Sequence, residues 1–177
     1  MDQGPPMNAP RRFEVTPPDA RMPTLVIGLT LLACAGALAL AWREAQGAMA
    51  WLLPPLAALV PALTALALRR RQVVLDDGIL TIVAGLNRRR VTASALRLEE
   101  ARVIDIETNP EYRVGIKTFG TAIPGYYAGH FRQIGGRRIF ALITDTRRVL
   151  AIPENDGRLL MLSLQRPQSL LDALRRG

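Results

Sequence analysis

Two long uncharged runs, Met22–Trp42 and Ala45–Leu68, follow one another near the start of the chain, parted only by Arg43 and Glu44. At a rise of about 1.5 Å per residue, each run is long enough as an α-helix to cross a hydrocarbon core of roughly 30 Å. The pattern predicts a transmembrane helical hairpin over 22–71, with spans at 22–42 and 48–68. Pro54 and Pro55 suit the first turn of the second helix, where a missing N–H costs little, and Pro61 should kink it deeper in. From Gln72 the period shortens. Val73–Leu75 and Ile79–Val83 flank Asp76-Asp77-Gly78, a strong hairpin signal because Gly accepts the positive φ of a tight turn. Further strands are expected at Arg89–Thr92, Ala101–Ile106, Tyr112–Lys117, Gly129–Gln133, Arg138–Thr144, Arg147–Ile152 and Leu159–Leu164, with a turn or short helix near Ser94–Glu99. Pro167 then opens a helix in which Leu170, Leu171 and Leu174 share one face. Many short strands closed by one amphipathic helix predict a small barrel or sandwich with a C-terminal cap, over 72–177.

Charge orients the hairpin. Arg11, Arg12 and Arg21 precede the first run and Arg69-Arg70-Arg71 follow the second, whereas the turn carries a single Arg. Positive residues mark the cytoplasmic side, so both termini should be cytoplasmic in a multi-pass protein of a bacterial inner membrane, with Trp42 and Trp51 in the outer interfacial belt. The rival readings are weaker. Ala39-Leu40-Ala41 resembles a signal-peptide cleavage site, but the preceding region is long and holds three acids. Arg11-Arg12 is a poor twin-arginine match before so long a hydrophobic stretch. A buried hairpin in a soluble core would need more covering chain than the remaining 106 or so residues supply. The tail, residues 1–21, is Pro-rich and lacks apolar periodicity, which predicts disorder.

The net charge of +8 lies entirely from Arg69 onward, because the charges of the tail and of Arg43/Glu44 cancel. Nearly all the cations are Arg; Lys117 is the single Lys. The lone Cys, Cys34, sits within the first span and can form no intrachain disulfide. The chemistry of catalysis is missing from the pattern. His130 is the only His and has no Cys partner, and no nucleophile elbow, clustered metal ligands or phosphate-binding glycine motif occurs. No enzyme activity, metal or cofactor is expected.

The run Gly120-Thr121-Ala122-Ile123-Pro124-Gly125-Tyr126-Tyr127-Ala128-Gly129-His130-Phe131, with Ile139–Thr144, Arg148–Pro153 and the closing helix Pro167–Leu174, resembles the bacterial pleckstrin-homology-like domains of membrane-anchored proteins. The resemblance covers about Arg71–Arg176. It implies an α+β protein in which the hairpin precedes a pleckstrin-homology-like barrel of two nearly orthogonal antiparallel sheets, capped by the last helix and without enzyme activity. One departure limits the analogy. Where phosphoinositide-binding relatives in eukaryotes carry a basic loop between the first two strands, this chain has Asp76-Asp77-Gly78, whose carboxylates repel phosphate.

Two surfaces are candidates for binding. Tyr126, Tyr127 and Phe131, set among small residues, offer an adaptable aromatic contact for a protein partner or a second copy; the alternative is that they fold back onto the core. Arg69, Arg70, Arg71, Arg88, Arg89, Arg90, Arg137 and Arg138, with Arg147 and Arg148, offer contacts to anionic lipid headgroups, worth about 1 kcal/mol per basic residue at the surface; the alternative is a solvated turn face. Nucleic acid is a distant third, since no reading helix or aromatic ribbon accompanies the charge. The leading expectation is a non-enzymatic module held at the inner face of the membrane that binds a protein partner or itself, the alternative an electrostatic module for anionic lipid.

Overall fold

The computed structural model describes residues 10–19, 21–44 and 49–176. Met1–Ala9 of the expected tail, the turn at 45–48 and the side chain of Trp51 lie outside the described residues. The chain divides into two units: residues 10–18 with 70–176, and the helical segment between them.

The helical unit holds α1 (Arg21–Glu44) and α2 (Met49–Arg69), and α2 runs through Pro54, Pro55 and Pro61. The segment Thr24–Trp42 of α1 is long and apolar enough to cross a membrane, and none of it is buried. Leu25, Leu29, Leu32 and Leu40 are all more than half exposed, so much of the apolar surface of this helix has no protein cover. In α2 the apolar run that meets the same test of composition is shorter, Ala57–Leu66. Among the described residues, therefore, one of the two expected spans is found at full length.

The other unit is built on two sheets. The smaller comprises β1 (Arg11–Phe13), β2 (Arg71–Asp76), β3 (Ile79–Ala84) and β4 (Asn87–Thr92), in the order β1-β2-β3-β4. Asp77 and Gly78 both have positive φ, 45° and 71°, and close the β2–β3 hairpin with Asp76 opposite Ile79. This is the turn the Asp-Gly pair predicts. β2 and β3 alternate, burying Val73, Leu75, Leu80, Ile82 and Ala84.

The larger sheet has the order β5-β9-β10-β8-β7-β6, from β5 (Arg102–Ile104), β6 (Ile116–Ile123), β7 (Tyr126–Arg132), β8 (Arg138–Ile143), β9 (Val149–Pro153) and β10 (Leu159–Leu162). β10 lies between β9 and β8 and runs parallel to β8. The expectation of purely antiparallel sheets is corrected here. β9 and β10 are apolar at nearly every position and fully buried. Such strands need cover on both faces and take the centre of a sheet rather than an edge. One face carries Ile104, Phe131, Ile139, Ala141, Ile143, Val149, Ala151, Leu159 and Met161, with Ile106, Tyr112 and Val114 of the β5–β6 connection packed against it. The opposite face includes Phe140, over whose ring the Arg89 guanidinium of β4 sits 5.6 Å from the centroid. That face therefore looks toward the smaller sheet. α3 (Pro167–Arg176) buries Leu170, Leu171, Ala173 and Leu174, the stripe the leucine spacing predicts.

Three further corrections concern strand placement. First, the expected strand at Tyr112–Lys117 is displaced. Pro110–Tyr112 forms a 3-10 turn and β6 starts at Ile116. Second, the strand expected at Gly129–Gln133 starts earlier, at Tyr126, and forms a hairpin with β6 that turns at Pro124-Gly125, with Ile123 opposite Tyr126. Third, the tail is ordered from Pro10. β1 pairs with β2, with Arg12 opposite Val74. Val15 then bridges Leu164, the Gln165 amide donates to the Glu14 carbonyl at 3.0 Å, and the Thr144 hydroxyl donates to the Thr16 carbonyl at 2.5 Å. Each is a contact with chain more than fifty residues away. A local search for periodicity cannot register them, because the ladder partners of β1 belong to another part of the sequence.

Candidate functional site

Arg88, Arg89 and Arg90 sit on β4, the outer strand of the smaller sheet. Alternation sends Arg89 toward the interior between buried Asn87 and buried Val91, while Arg88 and Arg90 stay exposed. Near its start β4 approaches β7 closely. A Cβ added at Gly129 would lie 2.9 Å from Asn87 Nδ2 and 2.9 Å from Gly120 Cα. Further along, toward Thr92, a cleft of about 810 Å³ lies between β4 and the larger sheet, within the size range of small-molecule sites.

The β4 wall supplies Arg88–Thr92; the facing wall supplies Thr118 and Phe119 of β6, His130 and Arg132 of β7 and Arg138 of β8; Glu154 and Arg158 lie after β9. Arg132 and Arg138 are direct cross-strand partners. Like charges placed so repel one another and are relieved by an anion between them. Six arginines and one carboxylate line the cleft, a formal excess of five positive charges.

The single carboxylate is already engaged. Arg89 Nη2 donates to Glu154 Oε2 at 2.6 Å, with the two side chains only 11% and 5% exposed. Burial pushes the Glu154 carboxyl above its ordinary value, opposed chiefly by the charge of Arg89. Its second oxygen, Oε1, is buried and has no hydrogen-bond partner among the described residues. His130 packs edge-on against Phe140 with ring centroids 4.9 Å apart. Burial, then the charges of Arg89 and Arg158, push the His130 imidazole below its ordinary value of 6.5. At neutral pH it is therefore a neutral wall of the cleft.

Of the arginines read from the sequence, the fold gathers Arg88, Arg89, Arg90 and Arg138 at one site. Arg137 is turned elsewhere, its Nε donating to the Gly157 carbonyl at 3.2 Å. Arg147 and Arg148 are exposed in the β8–β9 turn and do not line the cleft. Arg69 ends α2, Arg70 lines a groove on the outer face of the smaller sheet beside Asp76 and Asp77, a groove that Arg88 and Arg90 also line, and Arg71 is half-buried. Arg132, Arg158 and Glu154 were missed. Period-two alternation along Tyr126–Arg132 puts Arg132 on the same face as His130 and is the signal that locates it; Arg158 and Glu154, in a turn, give none.

The aromatic surface is corrected. Tyr126 and Phe131 are each 2% exposed. Tyr127 is half-buried, packs on the core and meets Phe131 edge-on at 6.0 Å. Aromatic rings in a central strand lose more by staying wet than a contact surface gains from them, so these three residues build the domain. The exposed apolar side chains of this region are instead Ile116 and Phe119 of β6, the outermost strand of the larger sheet. Among the described residues no group of three His, Cys, Asp or Glu is arranged to hold a metal ion.

No curated protein and no solved structure matches this chain. Residues 71–177 match the family model described as Bacterial PH domain, a stretch that begins at β2 and runs through both sheets and α3; the chain belongs to the bacterial PH domain family.

Proposed function

We propose that the protein is a non-enzymatic binding module, anchored in the bacterial inner membrane by a double crossing, that takes anionic phosphate groups of lipids in the arginine cleft. The observation that carries the binding site is the convergence of Arg132, Arg138 and Arg158 on one cleft whose β4 rim carries Arg88 and Arg90 and whose sole carboxylate is occupied by Arg89. Connectivity supports the double crossing. Residues 10–18 and 70–176 fold into one unit. A chain that crosses once through α1 must cross back through α2 for both parts to meet, so both ends of the helical pair lie on one side. The arginine-rich flanks support a cytoplasmic location for that side. Reporter fusions before Pro10 and after Gly177 should both read as cytoplasmic; one on each side of the membrane overturns the double crossing.

For the cleft, the full chain in an uncharged detergent is titrated with short-chain phosphatidylglycerol and bound lipid is counted by native mass spectrometry. Replacing Arg132, Arg138 and Arg158 together by Ala should weaken binding about 100-fold, at roughly 1 kcal/mol for each cation removed. Unchanged affinity refutes the assignment. A second reading, a protein partner or a second copy, is supported by Ile116 and Phe119, 76% and 65% exposed on β6, whose outer edge has no strand partner among the described residues, since such an edge is open to strand addition.

A further inference from the structure

The β3–β4 hairpin turns on Gly85 and Leu86, with Ala84 opposite Asn87. Gly85 supplies the positive φ, 64°. The second position of such a turn ordinarily takes a small polar residue, because a hairpin tip stands in water. Here it is Leu86, 65% exposed. One exposed leucine is ordinary on a protein surface; this one is set apart by its place in the chain path. The Gly85 amide donates to the Arg70 carbonyl at 2.8 Å, and Arg70 directly follows Arg69, the last residue of α2. From Leu66, where the apolar run of α2 ends, to Arg70 the chain climbs about 6 Å at a helical rise, about the depth of one headgroup layer. The other connection to the helices leaves the same end of the sheet. β1 runs antiparallel to β2 with Phe13 opposite Val73, so Thr16, held by Ser163 and Thr144, lies beyond the start of β2. Only a few residues then lead to Arg21, where α1 begins.

The charge around the tip has the sign of a lipid contact. Arg69, Arg70 and Arg88 are all exposed, and Arg70, Leu86 and Arg88 line one groove. The acids of that groove, Asp76 and Asp77, sit at the opposite end of the β2–β3 hairpin. We propose that the β3–β4 turn is a second membrane contact of this domain. Leu86 enters the interfacial zone of the bilayer beside the exit of α2, and Arg69, Arg70 and Arg88 meet the phosphates of anionic lipids around it. The inference rests on the reading of the helical pair as a double crossing. An apolar tip gains by leaving water and arginines gain beside an anionic surface, and the two contributions act together in interfacial binding. The contact keeps the Gly85-Leu86 end of the smaller sheet against lipid and leaves the Asp77-Gly78 end in water.

The test uses the full chain in vesicles of equal parts phosphatidylcholine and phosphatidylglycerol. Cys34 is the single cysteine, so a Cys34→Ala background accepts one nitroxide label at a time. Labels are placed through Leu63→Cys in the apolar run of α2, Leu86→Cys at the tip, and Ile79→Cys, an exposed apolar position at the other end of β3. Collisions with a water-soluble nickel chelate should be several-fold rarer at Leu86 than at Ile79, and collisions with lipid-dissolved oxygen more frequent. A label at Leu86 as open to the chelate as one at Ile79, with Leu63 in lipid, overturns the contact and leaves the crossing of α2 standing. A label at Leu63 open to the chelate overturns the crossing and the contact together. Lipid at both Leu86 and Ile79 overturns the end-on contact. The leucine itself is tested with paired labels at Leu63 and Ile79, which leave the tip native. Leu86→Asp should broaden the distance distribution between them, and native-like hydrogen exchange in β8–β10 shows that the variant has folded. An unchanged distribution removes Leu86 from the proposal. Equal depth at Leu86 in vesicles of phosphatidylcholine alone removes the arginines.

Discussion

Replacing Glu154 by Ala lowers the stability of the domain by about 3–5 kcal/mol, a fall of roughly 12–20 °C in its melting midpoint. The reason is the position of Arg89. Its guanidinium lies between Glu154 and the Phe140 ring, with its side chain 11% exposed. Without the carboxylate, a buried cation keeps only a cation–π contact, worth about 2 kcal/mol even when desolvated. Removing Arg89 alone is as damaging, because Glu154 is then an isolated buried anion. Removing both, as Arg89→Met/Glu154→Leu, returns most of the loss, since a buried pair contributes little relative to apolar packing of similar volume. Hydrogen exchange of the β8–β10 amides reports the domain rather than the helices and checks all three. The pair also sets a pH dependence. Burial raises the Glu154 carboxyl above its ordinary 4.5. Between that value and the native one, the folded state holds a proton the unfolded chain has released, so stability falls as pH rises through this window. Glu154→Gln removes that slope. A variant with Glu154→Ala as stable as the parent shows that Arg89 has another partner.

Gly129→Ala is the second large loss, about 3–5 kcal/mol from backbone strain and overpacking together. Gly129 and Gly120 face one another across β7 and β6 with φ of 125° and 138°, a region nearly closed to residues with a Cβ. A methyl at Gly129 meets the Phe119 carbonyl and Gly120 Cα, both backbone, and Asn87 Nδ2 of β4. The Asn87 amide can swing aside, but the two backbone atoms retreat only if a strand shifts. The expected result is a destabilised domain in which the β4–β7 approach is loosened and the geometry of the cleft changes with it. Gly125→Ala is the control. Its added Cβ has open space within 4 Å, although its φ of 76° still strains the backbone, so the loss there is limited to about 1–2 kcal/mol. Equal losses at the two glycines refute the steric account.

Much of the architecture is local chemistry that the chain displays openly. The uncharged runs became α1 and α2, Asp77-Gly78 turned the β2–β3 hairpin, and the leucine spacing after Pro167 became α3. In each, the partners lie within a few residues, so periodicity and turn preference suffice. The aromatic run Tyr126–Phe131 was ambiguous for the opposite reason. Period-two alternation says which side chains share a face, but only the covering chain from the β5–β6 connection decides that the face is dry.

What the sequence by itself determined is the class of protein: an apolar helical pair joined to a small β-rich domain with a helix at its end, and an excess of arginine confined to that domain. What only the tertiary structure decided is which arginines act together. Arg88–Arg90 and Arg138 are nearly fifty residues apart in the chain, and Arg132, Arg158 and Glu154 join them because β4 meets the larger sheet near Gly129 and a cleft opens beside that contact. The same long-range pairing drew residues 10–18 into the domain, where their hydrogen-bond partners lie on β2 and after β10. Charge and hydropathy are properties of single positions and short windows, whereas a cleft is a relation between strands whose proximity is set by backbone ladders and close glycine contacts.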